Sequence, residues 1–478
     1  MMKNKKRKKK FFWIAGGLVA LVGITILILI KSLAPKENDF SELSWTDAFD
    51  QLHTHISTKY PFTDWKGIDW DELYAQTAPR IAQAETENDP AAYYLAMREY
   101  VYAIPDGHVQ LGGPDLGLRE AAIGGGFGFG IIGLDNGRVI AHILLDDGSD
   151  AQAGMAWGAE ILTWNEIPIQ EALLQTSTIW ANMPHATMEG RKIEQYHYLT
   201  RAPLGTETTV SFQNPGEDTI QTVQLTAMAD ELEILNRDLP IERDLNAIFQ
   251  SPVQSDILPG GIGYISISGF MPTLGGLNPA RLFDKAIEEF IKAEVSSIII
   301  DVRANGGGLD GLVPKMVGHF YNESGFYEYI SVYDVKSGEF AIDPKQTLTI
   351  EPRAPYFAGP VVVLVDNHTA STAEGIPLSI QPLSQGYVVG IYGTNGSFAA
   401  GNPGENLFQM PEGLAVNFLG GRALDQDQTI QVDSNADGMG GITPDIRVPL
   451  TEENVRAMYV DGVDIVLETA IATLDELN

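Results

Sequence analysis

The sequence predicts a mixed α/β protein of several units: an N-terminal membrane anchor, a small helical domain, a β-rich domain and an α/β core. Three observations carry that prediction. The chain has 478 residues, 44% hydrophobic and 20% charged, which is enough apolar material for two or three packed cores. Its hydrophobic pattern changes along its length, from three-to-four spacing, to short strands and turns, to continuous apolar runs alternating with helices. Ahead of all of these, the stretch from Phe11 to Ile30 carries no charge at all.

That stretch, "FFWIAGGLVALVGITILILI", is about 30 Å long as a helix, enough to span a bilayer. The preceding "MMKNKKRKKK" holds seven positive charges, and only Lys31 follows closely. The positive-inside rule then keeps the N-terminus in the cytoplasm and sends the remainder out. Residues 1–33 therefore read as a basic tail and a single-pass anchor in the cytoplasmic membrane. A cleaved signal peptide would have a shorter apolar core and a small-residue cleavage site, neither of which is evident. The formal net charge is −32, and the body is more acidic still once the basic tail is set aside. Such a body repels nucleic acid and excludes it as a partner. There is no cysteine, so disulfides, thiolate metal sites and a cysteine nucleophile are excluded.

Residues 40–118 read as the helical domain. "SWTDAFDQLHTHISTKY", "DWDELYAQTAPRIAQA" and "DPAAYYLAMREYVYAI" each open on a Ser or Asp cap and carry apolar residues at helical spacing. The loop "PDGHVQLGG" follows, with His108 in it. Residues 119–230 read as short strands and turns, with a turn at Asp135-Asn136-Gly137 and a small helix at Asp150–Ala153. An early Gly-rich loop followed by "AGMAWGAEILTWN" resembles a PDZ domain. The resemblance implies capture of an extended peptide C-terminus at a sheet edge.

Residues 231–478 alternate strands and helices. "SSIIIDV" is an uninterrupted apolar strand, as expected of one buried on both faces. "VVVLVDNHTASTAEGI" repeats the strand-turn-helix plan. In open α/β sheets ligands gather at the carboxyl ends of strands. Two such ends are unusual here: "DVRANGGG" after Ile300 and "DNHTASTAEG" after Val365. Ser371 with Glu374 fits a helix capping box. The same position suits a nucleophile, because free amides and the helix dipole favour developing negative charge. The glycines of "ANGGG" serve a tight turn equally well as a bare backbone approaching a ligand.

Together these segments resemble the tail-specific, or C-terminal processing, proteases and their tricorn-core relatives. "SSIIIDVRANGGGLDGL" looks like the family's glycine-turn segment, "TASTAEG" like its nucleophile segment, and "GGITPDIRVPL" like its closing motif. The resemblance implies a serine endopeptidase acting on protein or peptide substrates through an acyl-enzyme, with no cofactor. Ser371 is then the nucleophile, and Gly307 or Gly308 with Thr372 supply the oxyanion amides. One branch of the family uses a lysine about two dozen residues after the serine, but here Gly396 and Ser397 stand there, and Lys345 is the last lysine of the chain. The tricorn-like branch uses a histidine from before the PDZ region, and "IPDGHVQLGG" resembles its segment, which implies His108 as base. His368 competes, three residues before Ser371. The acidic orienter of that branch is a glutamate near the closing motif. None is present in "QVDSNADGMGGITPDI", so Asp437 is the expected orienter, with Asp433 and Asp106 as alternatives. Asp433, Asn435 and Asp437 also match the start of a calcium loop, although Pro444 stands where the bidentate glutamate belongs. The rival to the enzyme is a peptide- or lipophile-binding protein of the same fold with a decayed relay.

Overall fold

The computed structural model describes residues 36–145, 154–237, 251–273, 275–401 and 404–477. The expected anchor at 11–30 and the short helix at Asp150–Ala153 lie outside these residues. No helix among the described residues is long and apolar enough to cross a membrane.

The helical unit consists of α1 (Trp45–Lys59), α2 (Thr63–Lys66), α3 (Trp70–Glu87) and α4 (Pro90–Tyr102). The caps read from the sequence are made: Ser44, Asp69 and Asp89 side chains each accept an amide of the first turn. Their apolar faces bury Phe49, Leu52, Ile56, Tyr93, Met97 and Tyr100. That core also takes Phe408, Met410, Val416 and Phe418 from far along the chain. Strand β1 (Gln110–Gly112) pairs antiparallel with Ala415–Asn417, with Leu111 opposite Val416. The loop bearing His108 lies between α4 and β1, so it is held at both ends against the distant core.

The main sheet of the β-rich unit runs β2 (Phe129–Gly133), β3 (Val139–Leu144), β4 (Glu160–Trp164), β5 (Glu207–Gln213) and β6 (Ile220–Thr226), antiparallel in that order, with the short strand Ile167–Pro168 also paired to β4. Helix α5 (Met188–Leu199) packs Tyr196 and Leu199 into their core.

The sheet of the C-terminal unit has six strands in the order β7 (Val253–Leu258), β8 (Ile262–Ile267), β9 (Ser297–Asp301), β10 (Val361–Leu364), β11 (Gly386–Gly390) and β12 (Ile446–Arg447). All neighbours from β8 onward are parallel. Every residue of β9 and β10 is buried, because both faces are covered. Ile298, Ile300, Val361 and Val363 pack against Phe283, Ile287 and Phe290 of α6 (Pro279–Lys292). Ile299, Val362 and Leu364 face the other way, with Val466, Ala470 and Leu474 of α7 (Ile465–Leu477). Asp301 is in register with Leu364, so the turns after β9 and β10 leave the sheet side by side.

Candidate active site

The two turns are stitched to each other. The Asp366 carboxylate accepts the Ala304 amide at 2.9 Å, Thr369 Oγ1 donates to Val302 O at 3.0 Å, and the Ala370 amide donates to Asn305 O at 3.0 Å. Thr372 Oγ1 donates to Gly308 O at 3.0 Å. Gly307 sits at φ +98°, and a Cβ there would lie 2.7 Å from Ser371 Cβ and 2.9 Å from the Thr372 nitrogen. Only glycine lets the turns approach this closely.

Ser371 opens a single 3-10 turn, Ser371–Glu374, at φ +57°. A serine in the left-handed region costs about 1–3 kcal/mol and must be imposed by its surroundings. Its amide is held by two acceptors, Ser397 O and Glu374 Oε2, both at 2.9 Å. The capping box is therefore half made: the glutamate reaches back to the backbone, while the serine hydroxyl caps nothing. The position before the turn belongs to Ala370. Capping does not account for the hydroxyl.

Of the glycine amides, that of Gly307 is already used, donating to Asn305 Oδ1 at 2.9 Å. Among the described residues the amides of Gly308 and Thr372 have no acceptor. The pair available for an oxyanion is thus Gly308 and Thr372, and Gly307 instead provides the close approach.

His108 is largely buried, and its loop is fixed by Asp106. Asp106 Oδ1 accepts the His108 amide at 2.8 Å and lies 3.4 Å from His108 Nδ1, while Oδ2 accepts the Tyr60 hydroxyl at 2.7 Å. The ring contact is long and poorly aligned for a hydrogen bond, as is common in unliganded sites. Burial pushes the imidazole down, but pairing with Asp106, helped by Asp433 and Glu374, outweighs it and raises its pKa above the ordinary value. Burial pushes Asp106 up, but its bonds to His108 and the charge of Lys66 hold it below the usual carboxylate range.

The Gly107 amide donates to Ser397 Oγ at 3.0 Å, and Ser397 O accepts the Ser371 amide. One residue thus ties the histidine loop to the serine turn, although they are far apart in sequence. The stretch around it is bound throughout. Thr394 Oγ1 and the Gly396 amide donate to Glu374 Oε1 at 2.6 and 2.8 Å. The Phe398 amide donates to Asp433 Oδ2 at 2.9 Å. Burial pushes the Glu374 carboxyl up to about 7 against these donors.

Asp437 is not where the sequence placed it. It stands exposed in a turn where its amide donates to Asn435 Oδ1, and the carboxylate at the imidazole is Asp106. The calcium alternative also fails on its donors, because Asp433 is buried and its oxygens face Lys66 Nζ at 2.6 Å and the Phe398 amide. His368 lies in the turn after β10, where its amide donates to Asp366 Oδ1 at 3.1 Å. Lys66 was missed altogether; a lone lysine ordinarily reads as a solvated one.

Comparison with known proteins bears on the family and the fold. Residues 261–448 match the model of peptidase family S41, and residues 41–91 match the Tricorn protease C1 domain. The carboxy-terminal processing protease CtpB of Bacillus subtilis (strain 168) is 24% identical over 344 residues, covering 68% of this chain and 63% of that protein. This chain thus spans less than two thirds of that relative's length. Two structures of mature CPAF, one complexed with lactacystin, align with a TM-score of 0.61 at 14% identity. Each covers 91% of this chain, and 99% and 98% of their own. At that identity they show a shared fold.

Gly307→Ala tests the packing of the turns. Its Cβ has no room beside Ser371 and its φ becomes strained, so unfolding stability should fall by at least about 2 kcal/mol. Denaturant titration measures this, and an unchanged midpoint would mean the turns are not in contact.

Proposed function

The chain belongs to the C-terminal processing protease family of S41 peptidases, and from that premise we propose that it is a serine endopeptidase working through Ser371, His108 and Asp106. The observation that carries the proposal is Ser397, which bonds the histidine loop through its hydroxyl and the serine turn through its carbonyl. Ser371 Oγ attacks the scissile carbonyl carbon and gives its proton to the neutral His108. The imidazolium is stabilised by Asp106, and the carbonyl oxygen, now anionic, is held by the Gly308 and Thr372 amides. Collapse breaks the C–N bond, with the proton passing from His108 to the leaving amine. Water, deprotonated by the same imidazole, then hydrolyses the ester. The non-catalytic reading predicts a folded protein with an inert serine.

A fluorophosphonate probe separates the two readings without knowledge of the substrate. Wild-type protein should be labelled, and Ser371→Ala should not. Because the base must be neutral and its pKa is raised above 6.5, the labelling rate should fall as pH drops through a midpoint above that value. Asp106→Asn removes the charge that favours the imidazolium. The midpoint should then move down and the plateau rate fall by about 10²-fold or more. A folded wild-type chain that stays unlabelled would support the binder.

The 20-residue apolar stretch behind a basic cluster supports a retained anchor with the catalytic body outside the cytoplasmic membrane. Deleting residues 1–33 should move the protein from the membrane fraction to the soluble one; an unchanged distribution after carbonate washing rules the anchor out. The Gly-rich entry and the antiparallel sheet of residues 119–230 support a PDZ-like tail-binding role. An apolar peptide with a free C-terminal carboxylate should bind in fluorescence anisotropy and its amidated form should not. Equal affinities would refute recognition of the C-terminus.

A further inference from the structure

Beneath the His108 loop lies a buried charge cluster that the acyl-transfer scheme leaves without a role. Lys66, the last residue of α2, is fully buried in its side chain, and its Nζ lies 2.6 Å from the equally buried Asp433 Oδ1. Nζ also donates to Ser434 O at 2.9 Å and to Ser434 Oγ at 2.8 Å. The neighbouring Trp65 grips the same segment, with Nε1 donating to Asp433 O at 3.1 Å and its carbonyl accepting the Ala436 amide at 2.9 Å.

This grip reaches the catalytic loops in one further step. Asp433 Oδ2 accepts the Phe398 amide, and the Ser434 amide donates to Gly396 O at 2.9 Å. Gly396 and Phe398 flank Ser397, the residue that bonds both the Gly107 and the Ser371 amides. The helical unit thus controls the stretch on which the histidine loop and the serine turn rest.

The charges point the same way. Asp106, Asp433 and Glu374 all act on His108, and Asp106 and Asp433 also act on each other and on Tyr60. Two carboxylates in one desolvated site do not both stay ionised without a compensating cation. Lys66 supplies it: it pairs with Asp433 and lies within charge range of Asp106.

We propose that Lys66 is a positioning residue of the acyl-transfer site: it fixes residues 396–398 through Asp433 and Ser434, and it neutralises Asp433 so that Asp106 dominates the field on His108. The inference rests on the serine-relay reading above. It is tested on the full chain by the second-order rate of fluorophosphonate labelling between about pH 5 and pH 9, a window spanning imidazole titration. Lys66→Met removes a positive charge close to His108, so the carboxylate that stays ionised acts on the imidazole unopposed. Its acid limb should move up by about one pH unit, with a plateau at least about tenfold slower. Lys66→Met combined with Asp433→Asn removes the charge pair, and the limb should return towards wild type. Asp433→Asn alone, which keeps the lysine, should move the limb down and serves as the test if Lys66→Met does not fold. Limbs coincident with wild type in both single variants, Lys66→Met and Asp433→Asn, whatever happens to their melting temperatures, overturn the inference and make the pair a structural one. The relay reading fails separately, taking this inference with it, if wild-type protein is unlabelled or if His108→Ala keeps the wild-type limb.

Discussion

Glu374 has no exposed surface, and its two oxygens take three hydrogen bonds, from the Ser371 amide, the Thr394 hydroxyl and the Gly396 amide. A buried carboxyl is expensive, and its displacement to about 7 is the signature of that expense. The donors repay part of it, and in doing so they set the site. The bond to Ser371 helps hold the serine in a backbone conformation it would not adopt unaided. The bonds to Thr394 and Gly396 fix the stretch that reaches across to the histidine loop. Above its ordinary carboxylate range the group carries its full burial penalty, so its contribution disfavours folding as pH rises from 4.5 towards 7. Asp106 works in the opposite sense: its depressed value adds stability that is lost as pH falls below the carboxylate range. The site is held between two acids pulling in opposite directions.

The sheet explains why so small a set of bonds suffices. β9 and β10 are buried on both faces and locked in register, so their carboxyl ends are rigid exits. The turns leaving them need only short-range stitching through Asp366, Thr369 and Thr372. The histidine loop has no such footing in the sheet. It is instead suspended between α4 and β1, and both are committed to the distant segment 407–418, through the shared core and the strand pair.

What was legible in the sequence follows from this division. Strand-turn-helix patterns are local, so the buried strands, the glycine turn and the position of Ser371 could be read directly. The histidine could not be assigned from spacing; His108 was expected from likeness to a family, because so long a separation in sequence does not say which loops the fold will tie together. The carboxylate beside the imidazole differs from the expected one for another reason. It was sought near the closing motif, whereas Asp106 lies two residues before the imidazole, in an Asx-type turn whose bond to the His108 amide already aims it. The segment "PDGH" contains that turn, so the signal was there. Lys66 gave no signal, since nothing in "TDWKG" distinguishes a buried lysine from a solvated one. Assigning Gly307 and Gly308 to the oxyanion hole alike failed to foresee that the Asn305 side chain would claim one of their amides.

The absence of a lysine after the serine has a steric side as well. Gly396 and Ser397 stand at the offset where the lysine-using branch of the family this sequence resembles would have its base, and Ser397 is the one bonded to the histidine loop. Its short side chain is spent on the Gly107 amide, and a mere Cβ on Gly107 would come within 2.9 Å of its oxygen. A four-carbon side chain with an ammonium head at that position would occupy the space through which the histidine loop enters. It would also remove the hydroxyl that anchors that loop. With Ser397 bonded to Gly107 as it is, a lysine side chain at 397 and the His108 loop would compete for the same space. Replacing Ser397 by a residue without that hydroxyl would therefore cost the histidine loop its bond to the stretch that also holds the Ser371 amide.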